Sequence, residues 1–151
     1  MDKKKKFSNT ESYSIDAKEK DYLYTDESSI PNSGNGLYTA IPLYKNDVIS
    51  KFKGEILSDA EAKKRALKNE NAYFINMPDG KIMDSMHIKC FAKYANDAKG
   101  LSKTKYKNNA KILLDENDKV CLIAKRDIKA GEEIFCNYGK QYWKAKSKQS
   151  L

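Results

Sequence analysis

Gly34-Asn35-Gly36-Leu37-Tyr38-Thr39-Ala40-Ile41 opens with two glycines in the spacing of a dinucleotide-binding fingerprint and then fails to continue it. The third glycine would fall at Thr39, and Leu37 to Ile41 read as a strand, not a helix. A phosphate-binding helix N-terminus in a doubly wound sheet is therefore excluded. What remains is a glycine turn feeding a β-strand. Such a pair either makes a turn or lets the backbone approach a ligand closely, and this stretch alone leaves both open.

The same pattern of short strands extends outward on both sides. Tyr22-Leu23-Tyr24 and Val48 to Phe52 are strand-like, the second following the turn Lys45-Asn46-Asp47. One helix is predicted from Ser58, whose hydroxyl caps the first turn while Glu61 completes a capping box, and it should end near Asn69 to Asn71. Tyr73 to Met77 and Lys81 to Met83 flank Pro78-Asp79-Gly80 as a hairpin, with Asp84 closing the second strand. Ile88 to Ala95 suits a short helix, and Lys99 to Asn108 a polar loop. Lys111 to Leu114 and Val120 to Ala124 pair across Asp115-Glu116-Asn117-Asp118, and Arg126 to Ile134 adds a turn and a strand. The sum is a mostly β, β-rich α+β domain with one or two short peripheral helices, spanning residues 13–146. Residues 1–12 read as a mobile lysine-rich tail and 147–151 as a flexible C-terminus.

Composition narrows the class further. At 151 residues the chain suits one domain, and with 40% hydrophobic and 11% aromatic residues it is too apolar for full disorder despite a mean hydropathy of −0.80. No apolar run approaches the roughly 18 residues of a membrane span, and no apolar segment follows the charges of residues 1–6, so neither a span nor a secretory signal is expected. Cys90, Cys121 and Cys136 are odd in number and set in apolar surroundings, which suits a reducing, intracellular compartment. The single His87 near Cys90 would leave a zinc site short of a ligand, so no metal is expected.

The net charge of +8 invites a nucleic-acid reading. Arg65 and Arg126 are the only arginines among 29 basic residues, however, and base recognition leans on the arginine fork. A solvated lysine-rich surface is favoured, with nucleic acid touched only non-specifically. Hydrolytic triads lack their base, since there is one histidine and no Gly-x-Ser-x-Gly elbow. Glu132-Glu133 and Asp115-Glu116 sit in turns, where solvated charge is the ordinary account and no catalytic role follows. The distinctive stretch is Phe135-Cys136-Asn137-Tyr138-Gly139, a phenol beside a glycine just after a buried-looking strand.

Taken in order, these pieces resemble the SET-domain protein lysine methyltransferases. Gly34 to Ala40 looks like the family's Gly-x-Gly cofactor loop, and Asp47 to Leu57 like its following strand and Gly-Glu turn. Asp84 falls at an acidic position before the central motif. Phe91 to Ala98 resembles the Arg-Phe-x-Asn-His-Ser segment, with Asn109 the later asparagine. Ala124 to Ile134 and Asn137-Tyr138-Gly139 resemble the terminal block, so that the likeness covers roughly residues 22 to 143.

The resemblance implies a knotted β-clip fold with S-adenosylmethionine on one face, a peptide on the other and a narrow channel for a lysine side chain between them. By similarity, Gly34, Asn35, Gly36 and Leu37, through their backbone, and the Asn96-Asp97 pair hold the cofactor. Tyr138 stands at the channel beside the reactive methyl, and Tyr73 or Phe74 forms its wall. Trp143 covers the adenine or packs on the core. Two departures stand out: Asp97 replaces the motif's histidine, and Cys136 replaces a Phe or Tyr that influences how many methyl groups are added. The smaller Cys136 leaves room for multiple methylation.

The chain also lacks the zinc-binding cysteine clusters of many relatives, so ordinary packing, through Tyr142 and Trp143, is expected to close the site. The implied partner is a protein or peptide lysine, a histone tail being one candidate, although a chain of charge +8 has no electrostatic preference for a basic tail. Acidic residues such as Asp84 and Asp115 are candidates to line a groove, with solvated turns the blander account. The nucleus is implied if the substrate is chromatin, the cytoplasm otherwise; monomer and homodimer stay open. The competing readings are a catalytically weak SET-like peptide- or cofactor-binding module and a basic nucleic-acid-binding β domain.

Overall fold

The computed structural model describes residues 4–6, 13–77, 80–98, 105–115, 117 and 119–137. Three sheets carry the fold. The largest orders β1 (Lys4–Lys6), β2 (Tyr13–Ile15), β5 (Asp47–Lys51), β10 (Val120–Ala124), β9 (Ala110–Leu114) and β12 (Cys136–Asn137). A second orders β11 (Glu133–Ile134), β4 (Asn35–Thr39) and β3 (Leu23–Glu27); a third orders β6 (Glu55–Leu57), β8 (Ile82–Asp84) and β7 (Phe74–Asn76). The architecture is mostly β with few helices, as the sequence predicts.

The two strands at the centre of the large sheet are buried on both faces. All five residues of β10 are buried and it reads as an apolar run, while β5 is buried from Asp47 to Ser50 and takes two polar side chains inside with it. Leu37, Leu43, Ile49, Leu122, Ile128 and Ile134 are wholly inside and knit the large sheet to the β3–β4–β11 sheet. At roughly 25 cal/mol per Å² of apolar area removed from water, side chains of this size each contribute about 2 kcal/mol.

Helix α2 (Asp59–Leu67) is peripheral, with Ala62 its one buried residue. Ser58 Oγ accepts the Glu61 N–H at 3.2 Å, as predicted, while the Glu61 carboxylate turns down the helix to Arg65 Nε at 3.0 Å. The helix stops at Leu67, and Asn69 takes the left-handed conformation at φ 60°.

Several expectations are corrected. Tyr22 belongs to the short helix α1 (Glu19–Tyr22), not to a strand, because its hydroxyl turns inward to donate to Ile49 O at 2.6 Å. The helix expected over Ile88 to Ala95 shrinks to one 3-10 turn, Ala92–Tyr94, since Ala95 goes extended to deliver Asn96 to a bridge with Phe135. Lys4–Lys6, placed in the tail, pair antiparallel with Tyr13–Ile15; a backbone ladder at a sheet edge needs no apolar period. Asp84 cannot line a groove, being fully buried against Arg65. Asp115 is buried too, where it accepts the N–H groups of Asn117 and Lys119 at 2.8 and 2.9 Å and so caps the turn.

Candidate functional site

The glycine turn is held on both flanks. Strand β3 pairs with β4 in the register Asp26↔Gly36 and Glu27↔Asn35, and Ser28 donates its N–H to Gly34 O at 2.8 Å. Gly34 sits at φ +64° with open space where a Cβ would be, so glycine serves the backbone turn there. Asn35 is exposed, whereas Gly36 is buried. On the other flank β11 pairs with β4 in the register Glu133↔Tyr38 and Ile134↔Leu37.

Opposite the turn lies the Asn96 segment. Asn96 Nδ2 donates to Asn35 O at 3.2 Å, joining two segments 61 residues apart. Asn96 also forms a parallel bridge with Phe135, and the Cys136 N–H donates to Asn96 O at 2.9 Å. On its far side the same segment is bound by β9: Ala110 N and Asn109 N donate to Phe135 O at 2.9 and 3.0 Å, and β12 runs parallel to β9 from Cys136↔Ala110. The buried Asn109 side chain clasps this strand from both ends, its Nδ2 donating to Glu133 O at 2.9 Å and its Oδ1 accepting Phe135 N–H at 2.8 Å. Residues 135–137 therefore lie between the Asn96 segment and β9.

Asp97 accepts from Asn108 Nδ2 at 3.0 Å, while Asn108 Oδ1 accepts the Ala98 N–H at 2.8 Å. This reciprocal pair fastens the Asp97 turn to the entry of β9.

An aromatic pair borders the Asn96 segment on its N-terminal side. Tyr73 meets Tyr94 edge-on with ring centroids 6.4 Å apart, and Lys93 Nζ lies 5.3 Å from each ring centre. That ammonium is fixed by the carbonyls of Ser85, Met86 and Ile88 at 3.0, 3.3 and 3.1 Å. Burial, with Tyr94 adding to it, pushes the Tyr73 phenol above its ordinary value, so it is a neutral hydroxyl at physiological pH. Phe74 packs instead with Leu57 and Ala62 beneath α2. Of the two residues named for the channel wall, only Tyr73 stands beside the Asn96 segment.

The structure thus brings Gly34, Asn35, Gly36, Asn96 and Asp97 into one neighbourhood, with Tyr73 alongside. Leu37 has a fully buried side chain in the core, so it can offer a ligand only its backbone. Cys136 is fully buried beside Ala110. Tyr138, Tyr142 and Trp143 lie outside the described residues. Cys90, Cys121 and Cys136 are buried and form no disulfide, the Cys121 thiol pushed up to about 11 chiefly by burial. Among the described residues no group of His, Cys, Asp or Glu could hold a metal, and no helix is long and apolar enough to cross a membrane.

One carboxylate contradicts the sequence reading. Glu133 is 4% exposed, not solvated. It accepts from Ser28 Oγ and Ser29 N–H, each at 2.7 Å, and from the Tyr38 hydroxyl at 3.2 Å. Its neighbour Glu132 does stay half-exposed: burial alone would raise it, but hydrogen bonds from Arg126 Nη2 (2.8 Å) and Lys129 N–H (3.0 Å) hold its carboxyl below the usual range. The available signal was the strand period, which starts at Glu133 and turns its side chain under the glycine loop.

Comparisons with known proteins identify the family. A family model described as "SET domain" matches residues 34–139, and the chain belongs to the SET-domain family. It is 30% identical over 110 residues to histone-lysine N-methyltransferase mes-2 of Caenorhabditis elegans, covering 70% of this chain and 14% of that protein. It is 29% identical over 110 residues to histone-lysine N-methyltransferase EZ2 of Zea mays, covering 70% and 12%. The chain therefore spans only about one seventh or less of the length of these relatives. Among solved structures, a chain of an apo ctPRC2 assembly with two substitutions in Ezh2 superposes with a TM-score of 0.67 at 24% identity, covering 84% of this chain and 16% of that one. This last likeness concerns the fold.

Proposed function

We propose that this domain is an S-adenosylmethionine-dependent protein-lysine N-methyltransferase. The observation that carries the reading is the Asn96 to Asn35 hydrogen bond, which unites the glycine turn and the asparagine motif of the family into one site. The residues present fit the cofactor: the Gly34 face is open, Asn35 is exposed beside it, and the Asn96 and Asp97 side chains are only partly buried. Gly34, Asn35, Asn96 and Asp97 would hold the cofactor, which when bound supplies an electrophilic methyl group on a sulfonium.

The chain's own residues have two tasks. The first is to deliver a neutral amine. A lysine of pKa about 10.4 costs about 4.6 kcal/mol to deprotonate at pH 7, and an apolar aromatic wall disfavours the ammonium and lowers that cost. Tyr73 is the wall residue proposed by similarity, and repulsion by the cofactor's sulfonium would disfavour the ammonium further, so no histidine base is required. The second task is to hold that nitrogen in line with the methyl group, where positioning supplies much of the rate. Tyr138 is the residue assigned to it by similarity.

The substrate class proposed is a lysine on a histone tail, as in the histone-lysine N-methyltransferases the chain is similar to, with chromatin and the nucleus as the setting. Cys136 leaves space for more than one methyl group; mass spectrometry showing only monomethyl product on a good substrate would contradict this. The test is transfer of label from S-adenosylmethionine to histones and to a whole lysate, with Tyr138→Phe as control. Label in a protein band that the variant loses supports the proposal. Cofactor or peptide binding without transfer would favour a binding module, and salt-sensitive nucleic-acid binding with no cofactor effect would favour the nucleic-acid reading.

A further inference from the structure

The two glycines of the cofactor loop are glycine for different reasons. Gly34 needs a left-handed φ, but Gly36 has none, so its backbone asks nothing special of the residue. What Gly36 lacks is room. A Cβ added there would lie 2.8 Å from Glu133 Cδ and 3.4 Å from Cγ, and closer still to Oε2. The space is taken by the protein's own carboxylate.

That carboxylate is also the point at which the loop is tied down. Oε2 receives the Ser28 hydroxyl, while Oε1 receives the Ser29 N–H and the Tyr38 hydroxyl. Ser28 in turn accepts the Ile30 N–H at 3.1 Å and donates its own N–H to Gly34 O. The Glu133 backbone carbonyl is clasped by Asn109, and two residues on Phe135 bridges to Asn96. A closed ring thus runs from Gly36 through Glu133, Asn109, Phe135 and Asn96 back to Asn35.

We propose that Glu133 is the positioning residue of the cofactor loop, and that Gly36 is glycine in order to admit this carboxylate and not the cofactor. The inference rests on the methyltransferase reading and adds to it a residue that touches neither cofactor nor substrate. Removing the side chain leaves the Ser28 hydroxyl and the Ser29 N–H without their acceptor, while the Tyr38 hydroxyl keeps the Glu27 carbonyl at 2.6 Å, and frees the loop from the strand that leads toward Tyr138. Glutamine preserves the shape and two of the contacts, since its carbonyl can accept from Ser29 and Tyr38 while its amide donates to Ser28 Oγ.

The test is a double-mutant cycle on the full chain, read as the dissociation constant for S-adenosylmethionine, as KM for cofactor and for peptide, and as the melting temperature of each variant. Glu133→Ala and Gly36→Ala should each weaken cofactor binding about tenfold or more. With the carboxylate gone, Gly36→Ala should add no more than about twofold. Glu133→Gln should stay within about threefold of wild type, and peptide KM should hold steady throughout. Should Glu133→Ala fail to fold, Ser28→Ala strips one short donor while leaving the carboxylate in place; the proposal then requires a rise in cofactor KM alone. The proposal is overturned if Gly36→Ala is equally harmful in both backgrounds, if Glu133→Gln is as damaging as Glu133→Ala, or if peptide KM rises in step with cofactor KM. A wild-type chain that binds no S-adenosylmethionine would instead remove the methyltransferase reading itself, and this inference with it. That result is distinct from wild-type binding without coupling.

Discussion

Asp84 and Glu133 are both carboxylates taken out of water, and the domain accommodates them by opposite means. Asp84, fully buried, meets Arg65 Nη1 at 2.8 Å; the same guanidinium holds Glu55 at 3.2 Å and Glu61 at 3.0 Å. These hydrogen bonds, Glu55's the largest, push the Arg65 pKa still higher. Glu133 instead meets the neutral donors of Ser28, Ser29 and Tyr38. The ionic cluster is redundant and built from residues within one sheet and its helix. The neutral one has a single acceptor and spans 105 residues of chain. Redundancy suits a scaffold, and a single acceptor suits a part whose position must be set by one residue.

Four substitutions probe this contrast, taken from the largest expected effect to the smallest. Asn109→Ala strips partners from two buried backbone groups, Glu133 O and Phe135 N–H. A loss of about 3–5 kcal/mol in urea unfolding is expected; a loss below about 1 kcal/mol would show that the strand stays in place without its clasp. Asp84→Ala should cost less, about 2–3 kcal/mol, because Glu55 and Glu61 keep Arg65 paired even as Met86 N–H loses its acceptor. If Asp84→Ala proves the worse of the two, the redundancy argument fails.

Ser58→Ala removes the cap of the helix that carries Arg65 and should cost about 1 kcal/mol in the same assay. The smallest effect concerns pH. Glu132 is held below its ordinary pKa in the folded state, so its contribution is present above the unfolded glutamate value of about 4.3 and is lost as pH falls through the folded one. Arg126→Ala should therefore flatten the acid limb of stability below about pH 5 while leaving the Glu133 contacts, and cofactor binding, unchanged. An unaltered acid limb would remove Arg126 from the account.

Local features of the fold are legible in the sequence. Gly34 takes the left-handed φ a turn glycine supplies, Ser58 caps the helix, and the β7–β8 and β9–β10 pairs form where their turn residues indicate. The gathering of Gly34 to Leu37 with Asn96 came only from the family likeness, since no local pattern reveals a contact across 61 residues. Glu133 was missed because it follows Gly131-Glu132, where exposure is the ordinary expectation. Its neighbour meets that expectation, and one residue later the strand reverses the side chain's direction. Lys4–Lys6 were missed for a different reason: edge pairing draws on backbone groups, which every sequence has. The 3-10 turn at Ala92–Tyr94 fell short of a helix because its continuation was already engaged by Phe135.

Because residues 135–137 occupy the slot between Asn96 and Ala110, the ribosome must release them before either neighbour acquires its companion. Emerging N-terminal halves can fold their hairpins, but the asparagine motif waits on a partner about forty positions downstream. Non-local closures of this kind slow folding. During synthesis, then, local hairpins can form before the glycine turn and the asparagine segment acquire the strand that lies beside both.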